Sequence, residues 1–247
     1  MIDAAKVREE ILEAGKRLRD RFFVAANDGN ISACLPGGGI VITPTGVNKG
    51  DMSAEMLLTV DAEGNVLSGS LKPSSEMKMH LAVYQQRPDV LAIVHAHPPT
   101  ATGFATSRIR LDQDVILPEV VFGLGRIGFS EYGTPTTHQV PETVSREIAD
   151  CDALLLANHG ALTVGTSVMQ AYYRMETLEM YARIRMVTMQ LGGPAALSEP
   201  EIEELFQVRA QRGWGRSPGL EVDPRAVELI SQIVLQVLQT QGVGSQL

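Results

Sequence analysis

Two histidines separated by a single residue, His95 and His97, stand at the end of the apolar run Val90-Leu91-Ala92-Ile93-Val94, and Pro98-Pro99 closes the segment. Side chains alternate faces along a strand, so both imidazoles project from one side, close enough to bind one metal ion. His159 ends a second apolar run, Ala153-Leu154-Leu155-Leu156, within Asn158-His159-Gly160. Three imidazoles with an open fourth position make a catalytic zinc site rather than a closed structural one. Each segment alone reads equally well as a strand capped by an unrelated histidine; the set together favours the metal.

Polar groups on turns accompany these histidines. Asn30, in Gly29-Asn30-Ile31-Ser32, offers an amide that can hydrogen-bond an anion. Thr45 and Gly46, in Thr43-Pro44-Thr45-Gly46, place a hydroxyl and an unhindered amide on a tight turn. Ser74 and Ser75 open a predicted helix, where free N–H groups and the helix dipole favour an anion. Serine is also an ordinary N-cap, and capping alone explains most serines so placed. Glu76 is the one acid beside these groups. At a helix start a glutamate ordinarily complements the dipole; within reach of a metal it can ligate or act as general base. His80, four residues on, shares a helix face with Glu76 and is expected to support the site rather than to ligate. His138 reads as exposed or capping, and Met77, Met79, Met175, Met180, Met186 and Met189 read as core. Asp112 and Asp114 have no partner motif.

The elements that must position these groups follow from pattern. Residues 3–23 are predicted as an amphipathic helix, with Val7, Ile11, Leu12, Leu18 and Phe22 near helical spacing. One hairpin turns at Pro36-Gly37-Gly38 between residues 31–35 and 39–43, and a second pairs 57–60 with 66–67. A helix from Pro73 to Gln86 precedes the strand 89–95 that delivers the first histidine, and a short helix covers 98–106. Residues 107–137 read as irregular, with short strands near 115–117 and 120–122. A helix over 141–150, strands over 153–157 and 161–164, and a long helix over about 167–191 complete the pattern. Two further helices are predicted near 199–212 and 224–240. Hairpins interspersed with helices imply an α/β fold, a mixed and largely antiparallel sheet covered by helices, with no domain boundary over 1–247.

Composition bounds the function. The chain is 44% hydrophobic and 20% charged, which is globular, and its net charge of −8 argues against nucleic acid as a partner. A small anionic substrate stays compatible, because local groups can oppose the global sign. No apolar run is long enough to span a bilayer, so no membrane partner is expected. The charged N-terminus lacks a signal-peptide core, and Cys34 and Cys151 form no framework, so a cytoplasmic location is expected.

Five segments now stand in order: Gly29-Asn30-Ile31-Ser32, Thr43-Pro44-Thr45-Gly46, Lys72-Pro73-Ser74-Ser75-Glu76, His95-Ala96-His97-Pro98 and Asn158-His159-Gly160. In this order and spacing they resemble the class II aldolase/adducin family, over about residues 5–190, with a helical C-terminal extension over about 195–247. Glu176-Thr177-Leu178-Glu179 also falls on a helix similar to the family's. The resemblance implies a three-layer α/β/α sandwich assembled as a C4 homotetramer with sites at subunit interfaces. It implies one Zn2+ per subunit on His95, His97 and His159, another divalent transition metal being the alternative. Glu76 would be the catalytic acid/base and a candidate ligand in the resting enzyme; Asn30, Thr45, Gly46, Ser74 and Ser75 would hold a substrate phosphate.

The activity so implied is zinc-dependent aldol cleavage of a short ketose 1-phosphate, fuculose 1-phosphate or a related deoxy-ketose phosphate, to dihydroxyacetone phosphate and an aldehyde. Three alternatives share the scaffold. A ribulose-5-phosphate 4-epimerase-like reaction is disfavoured because no Thr-His-Ala-Asp-type motif follows the His-x-His segment. A methylthioribulose-1-phosphate dehydratase-like reaction uses a similar site. A non-catalytic adducin-type interaction domain would be free to lose the histidines or Glu76, and all are present. One departure concerns the family's aldehyde-handling tyrosines: Phe122 stands near one such position, and no tyrosine follows Tyr181.

Overall fold

The computed structural model describes residues 4–214. Eight strands form one sheet: β1 (Asn30–Cys34), β2 (Ile40–Ile42), β3 (Leu58–Val60), β4 (Val66–Ser68), β5 (Ala92–Ala96), β6 (Ile127–Ser130), β7 (Ala153–Leu156) and β8 (Gly160–Gly165). Their order is β4-β3-β2-β1-β5-β8-β7-β6, and every neighbouring pair is antiparallel except β6 with β7. The helices are α1 (Ala4–Asp20), α2 (Met77–Gln86), α3 (Pro99–Ser107), α4 (Pro118–Gly123), α5 (Gln139–Glu147), α6 (Val168–Gln190) and α7 (Glu199–Gln211).

Strand alternation divides the core into two. Ile31, Ala33, Ala92, Val94 and Ala96 pack with residues of α1, α3 and α6, including Ile11, Leu18, Phe104, Tyr172 and Met175. On the opposite side Ile93, Leu162 and Val164 pack with Met79 and Val83 of α2 and Val140 and Val144 of α5. Helices therefore cover both faces of the sheet, giving three layers, as the resemblance implies. The same alternation turns the polar residues Asn30, Ser32 and His95 towards the face that carries α2, because they alternate along β1 and β5 with the core residues of the α1 face.

Asp152, at the start of β7, is a buried electrostatic hub. Arg87 donates to its Oδ1 at 3.0 Å, Arg174 approaches its Oδ2 at 2.8 Å and Arg209 at 3.3 Å. These links fasten the end of α2, the middle of α6 and the end of α7 to one strand.

The predicted elements are mostly present, with corrections. The strand predicted at 120–122 is the helix α4, started by Pro118 at its first turn, and no strand forms at 115–117. Val120 and Val121 look strand-like locally, but both are buried when the segment coils. β6 was not predicted; it has only four residues and pairs parallel to β7. The helix predicted from Pro73 begins at Met77. Met79 and Met175 are core, whereas Met180, Met186 and Met189 are exposed on α6. The helix predicted near 224–240 lies outside the described residues.

Candidate active site

The centre is built where β5 ends beside the β7–β8 turn. His95 lies within β5, fully buried, and its Nδ1 meets the carbonyl of Ala161 at 2.9 Å, which fixes the ring and turns Nε2 outward. His97 follows the strand, with its backbone N–H donating to Phe23 at 2.8 Å. His159 occupies the tight turn after Asn158, which adopts left-handed φ of 56°. Gly160 is required here by close approach: a Cβ would lie 2.5 Å from Cδ2 of His97 and 2.6 Å from the Ala96 carbonyl. The three ring centroids stand 4.7–5.3 Å apart.

One ligand atom from each of His95, His97 and His159 lies within 4.8 Å of the others. Nε2 of His97 and Nε2 of His95 face each other at 3.2 Å. A tetrahedral zinc with Zn–N of ~2.0–2.1 Å sets its ligand nitrogens about 3.3 Å apart, so the spacing fits a metal. The electrostatics agree. Burial lowers the His97 pKa, to about 4, with the charges of His95 and His159 acting in the same direction. Burial also opposes charging His95, yet the adjacent Glu76 carboxylate raises its pKa. A single cation shared by the three rings would resolve this competition. Asp28, unnoticed in the sequence, places Oδ2 3.6 Å from Nδ1 of His97 and helps to orient that ring.

Glu76 caps the start of α2 and reaches the same nitrogens, with Oε2 3.3 Å from Nε2 of His95 and Oε1 3.1 Å from Nε2 of His159. Burial alone would raise its pKa, but His95 and His159 hold the carboxyl well below the usual carboxylate range. Nδ2 of Asn30 donates to Oε2 at 2.8 Å, so Asn30 is tied to Glu76 and retains one further amide N–H. Gly29 has φ of 70°, and a Cβ there would meet the His95 carbonyl at 2.8 Å, which lets β1 run this close to β5.

The expected phosphate segments converge on one cavity of about 210 Å³, lined by Asn30, Thr45, Ser74, Ser75, Glu76, His97 and His159, among others. Two backbone bonds link the segments: Thr45 N–H donates to Lys72 at 3.0 Å and Ser74 N–H to Thr43 at 3.1 Å. Ser74 is buried and its hydroxyl accepts the N–H of Glu76 at 3.2 Å, so it caps; Ser75, Thr45 and Gly46 are exposed. The hydroxyl of Thr43 accepts from Ile31 N–H at 3.2 Å and is buried.

Two further lining residues were missed. Lys49 is only 1% exposed, and its Nζ donates to the carbonyls of Asn27 at 2.9 Å and Val47 at 2.6 Å. Burial pulls its pKa down to about 8, against the opposing charges of Asp28 and Glu76. Thr136, which also borders the cavity, holds left-handed φ of 67°, unfavourable for a β-branched residue. A lysine three residues beyond Gly46 was the available signal for the first; nothing local marks the second.

The remaining residues singled out in the sequence are structural. His138 occupies the N-cap position of α5 without a side-chain capping bond and is exposed. Asp112 and Asp114 pair with Arg110 and Arg185. Buried Glu179 accepts the N–H groups of Thr100 and Ala101 at the start of α3, at 2.9–3.2 Å, and so anchors the helix that follows His97. Phe122 meets Trp214 edge-on, with centroids 5.5 Å apart.

A three-layer α/β/α fold with three converging histidines and a glutamate is an arrangement suited to one divalent metal with an acid/base beside it. The sequence profile of the Class II Aldolase and Adducin N-terminal domain matches residues 9–186, and the chain belongs to this family of lyase-type enzymes. It is 35% identical over 191 residues to the 3-oxo-tetronate 4-phosphate decarboxylase of Escherichia coli K12, covering 74% of this chain and 90% of that one. It is 33% identical over 212 residues to the 5-deoxy-D-ribulose 1-phosphate aldolase of Bacillus thuringiensis serovar kurstaki, covering 85% and 98%. A solved L-fuculose 1-phosphate aldolase superposes with a TM-score of 0.77, at 29% identity, covering 83% of this chain and 96% of that one. No helix among the described residues is long and apolar enough to cross a membrane.

 A second solved structure, YgbL from Klebsiella pneumoniae, superposes with a TM-score of 0.78 at 31% identity, covering 83% of this chain and 100% of that one.

Proposed function

We propose that the chain is a zinc-dependent aldolase that cleaves a short ketose 1-phosphate, fuculose 1-phosphate or a related deoxy-ketose phosphate, to dihydroxyacetone phosphate and an aldehyde. One observation carries this reading: the three imidazole nitrogens lie within 4.8 Å of one another beside Glu76, and His97, His159 and Glu76 line the cavity that also gathers Thr45, Ser74, Ser75 and Lys49. A divalent metal on His95, His97 and His159 supplies Lewis acidity to the substrate carbonyl as the C3–C4 bond breaks. Glu76 delivers a proton to C3 in the cleavage direction and removes it in the synthetic direction. Asn30, Thr45, Gly46, Ser74, Ser75 and Lys49 hold the phosphate, which aligns the scissile bond. Self-association fits this reading, because α6 exposes Tyr173, Met180 and Val187 at helical spacing, with Leu191 just past its end and Phe22 also exposed. We take the assembly to be a homotetramer working in the cytoplasm.

A second reading is decarboxylation of a 3-oxo acid 4-phosphate, which the 35% identity to the Escherichia coli 3-oxo-tetronate 4-phosphate decarboxylase favours. Aldol cleavage must remove the C4 hydroxyl proton as the aldehyde forms. Loss of CO2 from 3-oxo-tetronate 4-phosphate needs no such transfer. The C1–C2 electron pair moves towards the C3 carbonyl, Glu76 protonates C2, and dihydroxyacetone phosphate again results.

The test is to incubate zinc-loaded protein with ketose 1-phosphates and with 3-oxo-tetronate 4-phosphate, identifying products by NMR. Aldehyde with dihydroxyacetone phosphate supports the first reading, and CO2 with dihydroxyacetone phosphate the second. An epimer or a dehydrated ketone from these screens would refute both. Glu76→Gln should lower turnover roughly 10²- to 10⁴-fold with zinc content retained; unchanged turnover removes Glu76 from the chemistry.

A further inference from the structure

We propose that His80, acting through Asn30, fixes the orientation of the Glu76 carboxylate and is thereby a positioning residue for proton transfer. The proposal rests on the reading of Glu76 given above. His80 is fully buried on α2, one turn after Glu76, and faces Asn30 and Ser32 of β1. Four contacts run in series. Asn30 Nδ2 lies 2.8 Å from Glu76 Oε2, Asn30 Oδ1 lies 2.5 Å from His80 Nε2, His80 Nδ1 lies 2.6 Å from Ser32 Oγ, and Ser32 Oγ lies 2.7 Å from the Tyr84 hydroxyl.

The direction of every bond follows from one end. An ionised carboxylate only accepts, so Asn30 must present its NH2 to Glu76. Its carbonyl oxygen then faces His80 and can only accept, so Nε2 of His80 carries the proton. In a neutral ring Nδ1 is left as an acceptor, which Ser32 satisfies by donating, while the Ser32 oxygen accepts from Tyr84. Burial and the charge of His95 keep His80 neutral, with its pKa lowered to about 3. Every member is thus satisfied, and reversing any one bond would leave two donors or two acceptors face to face.

The two oxygens of Glu76 become inequivalent. Oε2 is held by Asn30, whereas Oε1 is buried without a hydrogen-bond partner, with Nε2 of His159 at 3.1 Å as an ion-pair contact only. Oε1 is therefore the oxygen that exchanges the proton with substrate.

Zinc-loaded His80→Gln and His80→Asn variants, with 15N NMR of the wild-type imidazole, test this. Glutamine can place a donor where Nε2 stood and asparagine cannot. Turnover should fall roughly 10- to 100-fold in His80→Asn, with KM and zinc content unchanged, and recover to within about threefold of wild type in His80→Gln. The wild-type ring should be the neutral Nε2–H tautomer throughout the active pH range. Equal losses in the two variants, or an Nδ1–H or charged ring, would overturn the proposal. Should neither variant fold, Ser32→Ala removes the donor to Nδ1 together with the acceptor of the Tyr84 hydroxyl; it should release the fixed tautomer and lower kcat at constant KM, and an unchanged tautomer and rate would overturn the relay. Failure of the Glu76 reading looks different: an active Glu76→Gln enzyme with His80 still in the Nε2–H form.

Discussion

Replacing Lys49 by methionine isolates the charge of the phosphate cavity. Methionine keeps most of the apolar stem but removes an ammonium that is 1% exposed and donates to the carbonyls of Asn27 and Val47. Two effects on stability oppose each other. The carbonyls lose their partner, at about 1–3 kcal/mol each where buried, while the protein no longer has to desolvate an ammonium. The change in binding has no such compensation. An ammonium donates three hydrogen bonds, two are committed, and the third is free for a phosphate oxygen. A hydrogen bond to a charged group contributes about 1.5–3 kcal/mol, so affinity for inorganic phosphate should fall roughly 10- to 150-fold. The pH dependence has a definite sign. With the pKa lowered to about 8, the ammonium is charged below that value and neutral above it, so phosphate affinity should decline as pH rises through about 8. Lys49→Met should lose that alkaline limb, and Lys49→Arg, which stays charged, should lose it too while binding phosphate. Calorimetric titration of inorganic phosphate into the zinc-loaded protein, repeated across pH, reads both quantities. Unchanged affinity in Lys49→Met, or an alkaline limb that persists in it, would refute the role of Lys49.

Other substitutions probe the frame around the centre. Gly160→Ala should displace His97 and lower metal content, since the added Cβ would meet Cδ2 of His97 at 2.5 Å; full metal occupancy would contradict the geometry. Asp152→Ala leaves Arg87, Arg174 and Arg209 without their shared buried partner, and should cost about 3–5 kcal/mol. Thermal unfolding should then shift down by roughly 6–20 °C. Glu179→Gln weakens the anchor of α3 that Thr100 and Ala101 donate to, by about 1–2 kcal/mol in denaturant unfolding. Chelator treatment should abolish turnover, and added zinc should restore it; activity that survives removal of the metal would contradict the proposed chemistry.

Much of the fold was legible because burial and local pattern agree. The turn at Pro36-Gly37-Gly38 and the alternation in β1 and β5 specify a hairpin and a half-polar strand whichever neighbours they meet. α4 and β6 were not legible for the opposite reason. Val120 and Val121 favour a strand locally, and only packing against the rest of the chain makes a helix of them. Ile127 to Ser130 is too short to carry a period, and its strand state depends on parallel pairing with β7. Met180, Met186 and Met189 show the same limit, since apolar type does not decide which face of α6 is covered.

Residue types and spacing by themselves determined the chemistry on offer: imidazoles that can share a metal, a glutamate that can move a proton, and turn residues that can hold an anion. Donor atoms are fixed by covalent structure, and a spacing of two in a strand fixes the side they face. Only the tertiary structure decided which groups meet. It brought His159 to His95 across β8, turned Asn30 from a free amide into the partner of Glu76, and put Lys49 and Thr136 on the wall of the cavity. Those meetings depend on contacts between residues 22 (Lys49 with Asn27), 46 (Asn30 with Glu76) and 64 (His95 with His159) positions apart, and no local pattern encodes them.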